Sequence, residues 1–99
     1  MPEAAAILAR VAGNDLDDRV EATTLVLRAA AIERGMVVTG DDRISECDAA
    51  ALLELEAESL AKRRQEGRAP VSYKVPIGTA RISYRLADLG RWVEAQRDF

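Results

Sequence analysis

Between Ser45 and Pro70 the chain is punctuated too closely to form one long helix, and this spacing limits the possible folds more than any other feature. Ser45 with Asp48 three residues later is a variant of the Ser-x-x-Glu capping pattern, which predicts a helix over 45–53. A break around Leu55 interrupts residues 54–56, and a second helix is expected over 57–66, stopped by Gly67. Pro70 forbids its continuation. Two helices of about nine residues joined by about three residues read as a helix-turn-helix pattern. In the first, Cys47, Ala50, Ala51 and Leu53 are expected against a core. In the second, Leu60 and Ala61 are expected inward, with Glu58, Ser59, Lys62 and Gln65 outward.

The flanking segments follow different periods. Residues 3–12 are Ala-rich, with Ile7, Leu8 and Val11 at helical spacing and Gly13 as a stop. Leu16, Val20, Thr24, Leu27 and Ala31 recur at three- and four-residue steps, predicting an amphipathic helix over 15–34 that ends at Gly35. Asn14 or Asp15 is placed to cap it, with Asp17 and Asp18 in its first turn. Met36–Thr39 reads as extended or irregular, and Gly40-Asp41-Asp42 as a turn. From Val71 the period shortens to two. Tyr73 and Val75, then 81–84, alternate around the turn residues Pro76-Ile77-Gly78-Thr79, which predicts a β-hairpin. A last helix is expected over 86–96 with Leu86, Leu89, Trp92 and Val93 on one face and Trp92 as a core anchor.

Composition removes several chemistries. The 99 residues suit one domain with an arm, and 48% hydrophobic content suffices for a small core, aliphatic because aromatics are 4%. No histidine is present, so Ser-His-Asp and Cys-His catalysis and His-based zinc sites have no residues to use. Cys47 is the one cysteine and reads as a buried, inert thiol. Asp15, Asp17 and Asp18 lack EF-hand spacing and read as a helix N-terminus. No metal, cofactor or catalytic constellation is expected, so the protein is read as a non-enzyme. No apolar run approaches the ~20 residues of a membrane span, and no basic region precedes an apolar run at the N-terminus. A cytoplasmic protein is expected.

Charge is divided along the chain. The net value is −3, yet residues 1–61 hold five arginines against thirteen carboxylates, and residues 62–99 hold nine basic against four acidic residues. Seven of those bases fall between Lys62 and Arg85, with Glu66 the one acid among them. Salt screens charges beyond roughly 8–10 Å, so a local positive field survives an acidic total. The run reads either as a solvated helix face or as a surface for an anion.

Two motifs in this region carry a family resemblance: Arg64-x-Glu66-Gly67-x-x-Pro70 and Tyr84-x-x-x-Asp88-Leu89-x-x-Trp92. Residues 43–97 resemble the excisionase/AlpA-type winged helix-turn-helix proteins, relatives of the MerR DNA-binding domain. The resemblance implies a mainly α fold with a small β-hairpin: a winged helix-turn-helix over 43–99, preceded by an N-terminal helical arm over 1–42. It also implies a non-enzymatic protein of phage or mobile-element type that binds double-stranded DNA, as a transcription regulator or excisionase, and is nucleoid-associated when bound. Carried onto this chain, Ser59, Lys62 and Arg63 on the second helix would read bases, while Arg64, Arg68, Lys74 and Arg81 would hold phosphates, with Gly78 and Thr79 at the wing tip. The inter-helix turn departs from the family, reading Glu54-Leu55-Glu56 in place of Gly and Ser or Thr. The alternative is an assembly module such as a phage small terminase subunit, with a phage or recombination protein as partner. The apolar width of 15–34 implies either a homo-oligomer through that helix or its folding back over the domain's own core.

Overall fold

A computed structural model describes residues 15–96; the helix expected over 3–12 lies outside them. The chain is mainly helical. Helix α1 spans Asp15–Glu33, α2 Glu46–Leu52, α3 Ala57–Gln65 and α4 Leu86–Gln96. Strands β1 (Arg43–Ser45) and β2 (Ser83–Arg85) form a two-stranded antiparallel sheet in which Ile44 faces Tyr84. Among the described residues no helix is long and apolar enough to cross a membrane.

Three helix ends share one device. Met36 N–H reaches Ala31 O, and Gly35 N–H reaches Ile32 O. Leu55 N–H reaches Ala50 O, and Glu54 N–H reaches Ala51 O. Arg68 N–H reaches Arg63 O, and Gly67 N–H reaches Arg64 O. Each pair is a Schellman motif, which needs a left-handed residue just past the helix. Gly35 (φ 72°) and Gly67 (φ 74°) supply it without strain; Glu54 supplies it at φ 58°. Leu55 then turns back onto the core, which fixes the break between α2 and α3.

At the start of α2, Ser45 Oγ accepts from Asp48 N–H at 3.2 Å, as the capping pattern predicts. Ser45 is the cap rather than the first helical residue, and also ends β1. The face turned inward also differs from the expected one. Ala49 and Ala50 are buried, whereas Cys47 and Ala51 are exposed.

The hairpin expectation holds in part. Tyr73 pairs antiparallel with Ser83 and Ile77 with Ala80, but as isolated bridges, so 71–82 folds back as a loop rather than as two strands. The two-stranded sheet instead closes β2 onto β1, some 40 residues earlier. Gly78, at φ 59°, makes the two-residue turn at its tip.

Ile44, Ala49, Ala50, Leu60, Tyr84, Leu86 and Leu89 make the core, so both strands and α2, α3 and α4 contribute. Trp92 is half-buried outside this cluster, beside Ala69, Pro70 and Val71. It closes the loop after α3 rather than anchoring the core.

Helix α1 packs on α4 of its own chain. Val20 and Ala31 are buried and Leu27 is half-buried on that side. The helices approach closely because Gly90 has no side chain. A Cβ there would overlap Thr24 Oγ1 and stand 3.1 Å from Val20 O. Beside this crossing, the buried Glu94 carboxylate accepts from Arg19 Nε at 3.2 Å and Thr23 Oγ1 at 2.8 Å.

Two substitutions test this account. Gly90→Ala is expected to destabilise by about 1 kcal/mol net, since overpacking costs roughly 1–3 kcal/mol and helix propensity returns up to about 1. The loss should shrink in a Thr24→Ala background, as read by urea unfolding of the four chains of the cycle. Glu54→Gly should stabilise by about 0.5–1 kcal/mol by relieving the left-handed strain, measured as a higher urea midpoint with an unchanged slope.

Candidate nucleic-acid interface

One half-buried carboxylate positions the region. Glu46, in the first turn of α2, accepts from Arg64 Nε at 2.7 Å, Arg64 Nη2 at 3.3 Å and Tyr84 Oη at 2.7 Å. It therefore ties α2 to α3 and to β2. Burial would raise the Glu46 carboxyl, but the hydrogen bonds from Arg64 and Tyr84 outweigh it and hold the group below its ordinary value. Burial, together with the bond to Glu46, pushes the Tyr84 phenol up, so it remains a donor.

The loop 71–82 is braced at its base. Tyr73 exchanges both backbone hydrogen bonds with Ser83, and its hydroxyl donates to Asp88 Oδ2 at 3.0 Å. The Arg85 guanidinium lies 5.1 Å from the Tyr73 ring centre. Arg43 reaches under the loop and donates from Nη1 to Ser83 Oγ at 3.0 Å and to Val75 O at 3.4 Å. Its Nε donates to Asp41 Oδ2 at 2.8 Å. That bond, joined by one from Thr39, lowers the Asp41 carboxyl to about 2. The base is thus fixed, while Lys74, Val75, Pro76, Gly78, Thr79 and Arg81 are exposed.

Between the loop and α3 runs a groove of about 420 Å³, lined by Glu46, Cys47, Ala57, Arg64, Ala80, Arg81 and Ile82. Arg64 and Arg81, 17 positions apart in sequence, share this groove. Lys62 and Ser59 are exposed on the outer face of α3, and Arg63 is half-buried. Successive helical residues are turned by about 100°, so Arg63 leans away from the Arg64 side. Arg68 is exposed at the α3 end, paired with Glu66.

The expected residues therefore divide. Lys62, Lys74, Thr79 and Arg81 are open around α3 and the loop. Arg64 is engaged by Glu46 through two of its nitrogens, so it is first of all an internal brace. Glu58, exposed on α3 with Lys62, adds a negative charge to the same helix. Glu46 and Arg43, which set this geometry, did not stand out in the sequence. Each pairs with residues far along the chain and outside any local period.

Comparisons with protein-family models, with curated proteins and with solved structures found no match for this chain.

The brace carries a pH dependence. A carboxyl held low in the folded state adds stability above its unfolded value, near 4.5, and loses it as pH falls through the lower folded value. Glu46→Gln should be less stable than the parent at neutral pH, with the gap closing as pH falls below 4.5. Urea midpoints of both chains across that range check this. A gap constant with pH would show that the charge of Glu46 does not contribute.

Proposed function

We propose that this chain is a double-stranded DNA-binding protein built as a winged helix-turn-helix, with α3 as recognition helix and residues 71–82 as wing. The observation that carries the reading is the groove between α3 and the loop. Its walls bring Arg64 and Arg81 together beside Glu46 and Cys47 of α2, while Lys62, two residues before Arg64 and so about 200° around α3, is exposed outside the groove. A braced loop with an exposed Gly78-Thr79 tip suits close approach to a sugar-phosphate backbone, where small residues and backbone N–H groups fit. The order of elements also agrees with the resemblance to excisionase/AlpA-type proteins, which supports a regulatory or recombination role in a phage or mobile element.

In this mechanism Ser59, Lys62 and Arg63 meet base edges in the major groove, where one good bidentate contact discriminates by about 1–3 kcal/mol. Lys74, Arg68 and Arg81 hold phosphates. Arg64 acts chiefly through Glu46, setting the angle of α3. Glu58 opposes phosphate approach and restricts how deeply the helix start enters the groove.

A fluorescence-anisotropy titration on DNA from the element that encodes the chain tests this across a salt series. Lys62→Ala with Arg63→Ala should abolish the preference for specific over random DNA. Arg81→Ala should weaken binding to all sequences and lower the salt slope by about 0.9, as loss of one phosphate contact requires. Parent binding insensitive to salt, or a double variant matching the parent on its site, would refute the reading.

A further inference from the structure

The exposed outer face of α3 mixes opposite charges. Glu58 stands in the first turn and Lys62 one turn later, with exposed Ser59 between them. Residues four apart lie about 6 Å apart along a helix and about 40° around it, so Glu58 and Lys62 point the same way. Glu before Lys is the favoured order for an ion pair at this spacing. The two side chains do not form one: among the described residues, neither has a hydrogen bond or an ion pair. Both remain available to a ligand. In the DNA-binding mechanism proposed above, Lys62 reads a base while Glu58 only repels phosphate. That repulsion does not keep a carboxylate off DNA everywhere. Phosphates line the rims of the major groove, and the floor between them presents base edges, some of which donate hydrogen bonds.

Resting on that mechanism, we propose that Glu58 determines specificity by accepting a hydrogen bond from the 4-amino group of a cytosine. An ionised carboxylate has acceptors only. In the major groove guanine shows two acceptors, and thymine an acceptor and a methyl group, so Glu58 rejects both. Adenine sets its amino donor beside the N7 acceptor, which repels the second carboxylate oxygen. Cytosine presents a donor alone, so it is the base that Glu58 fits best. Lys62 completes the contact, because its ammonium has donors only and guanine O6 and N7 are acceptors. Guanine is the partner of cytosine, so the two side chains together suit a C·G pair. Their offset of about 6 Å along α3, against a rise of about 3.4 Å per base pair, also lets them share two successive pairs. The same carboxylate thus favours the right site and weakens binding to random DNA.

The test is selection of binding sites by the full chain from a randomised duplex library, followed by fluorescence anisotropy on the selected duplex. The parent should select a site with cytosine at one fixed position. Glu58→Ala should lose the preference at that position and keep the others. Its ratio of specific to random affinity should fall about tenfold, the size of one good base contact. Glu58→Gln should move the preference at that position towards adenine, whose N6 and N7 match an amide. A check on the single atom replaces the selected cytosine by 2-pyrimidinone, which lacks the amino group. On that duplex the parent should lose about tenfold beyond whatever Glu58→Ala loses, since the altered base pairing is common to both chains. Far-UV circular dichroism of each variant should match the parent; if Glu58→Ala is unfolded, the isosteric Glu58→Gln decides. Three results overturn the role of Glu58 and leave DNA binding standing: site preferences that no change at Glu58 alters, equal tightening of specific and random DNA in Glu58→Ala, or equal losses of parent and Glu58→Ala on the 2-pyrimidinone duplex. A parent that selects no site, or binds without salt dependence, overturns both.

Discussion

The carboxylate of Glu46 holds three elements at one point. It sits one residue past the cap of α2, where the helix N-terminus already favours negative charge. From there it accepts from Arg64 on α3 and from Tyr84 on β2. Tyr84 is fully buried at the centre of the core, so its hydroxyl needs an internal partner, and Glu46 provides it. A half-buried charge is costly when alone and stabilising only when each of its oxygens is satisfied; here both are. The crossing of α2 and α3 and their placement on the sheet therefore depend on one side chain that no local pattern distinguishes.

Arg43 does for the loop what Glu46 does for the helices. It lies on β1 and reaches across β2 to the Val75 carbonyl on the far side. The loop has only two isolated bridges of its own and would be poorly held without cross-links. Tyr73 adds a second tie, to Asp88 on α4. The ties therefore gather at the base of the loop, and the Gly78-Thr79 tip is left exposed.

What was legible in the sequence was local. Ser45 as a cap, Gly35 and Gly67 as stops and Leu55 as the centre of a break each depend on neighbours within five residues, and the structure keeps all of them. Strand β1 was not legible, because three residues carry no alternation and the partner strand lies some 40 positions on. Cys47 was misassigned because a seven-residue helix gives too few turns to fix its phase, and one residue turns a side chain by about 100°. Trp92 was misassigned because α4 is packed on three sides. Leu86 and Leu89 face the core, Gly90 and Glu94 face α1, and Trp92 covers the loop at Pro70. The candidate interface was legible as a run of positive charge. The engagement of Arg64 by Glu46 was not, because charge counting cannot separate an inward guanidinium from an outward one.

The contact between α1 and α4 explains why 15–34 looked wider in its apolar face than a single packed helix requires. At the crossing that contact is built largely from small and polar groups: Gly90 against Thr24, and Glu94 bonded to Thr23 and Arg19, with Val20 the buried aliphatic side chain beside them. Close backbone approach replaces bulk there, so the helix is held tightly while little large aliphatic surface is consumed. The larger side chains Leu25, Val26 and Ile32 are left on the outside. In an ordinary amphipathic helix the largest apolar residues face inward, because their burial returns about 1.5–3 kcal/mol each. Here α4 offers a glycine and a carboxylate at the crossing, so the positions of α1 that meet them are the polar Thr23 and Thr24. The glycine that admits one helix at close range thus lets α1 be held by its inner side while Leu25, Val26 and Ile32 take no part in that contact.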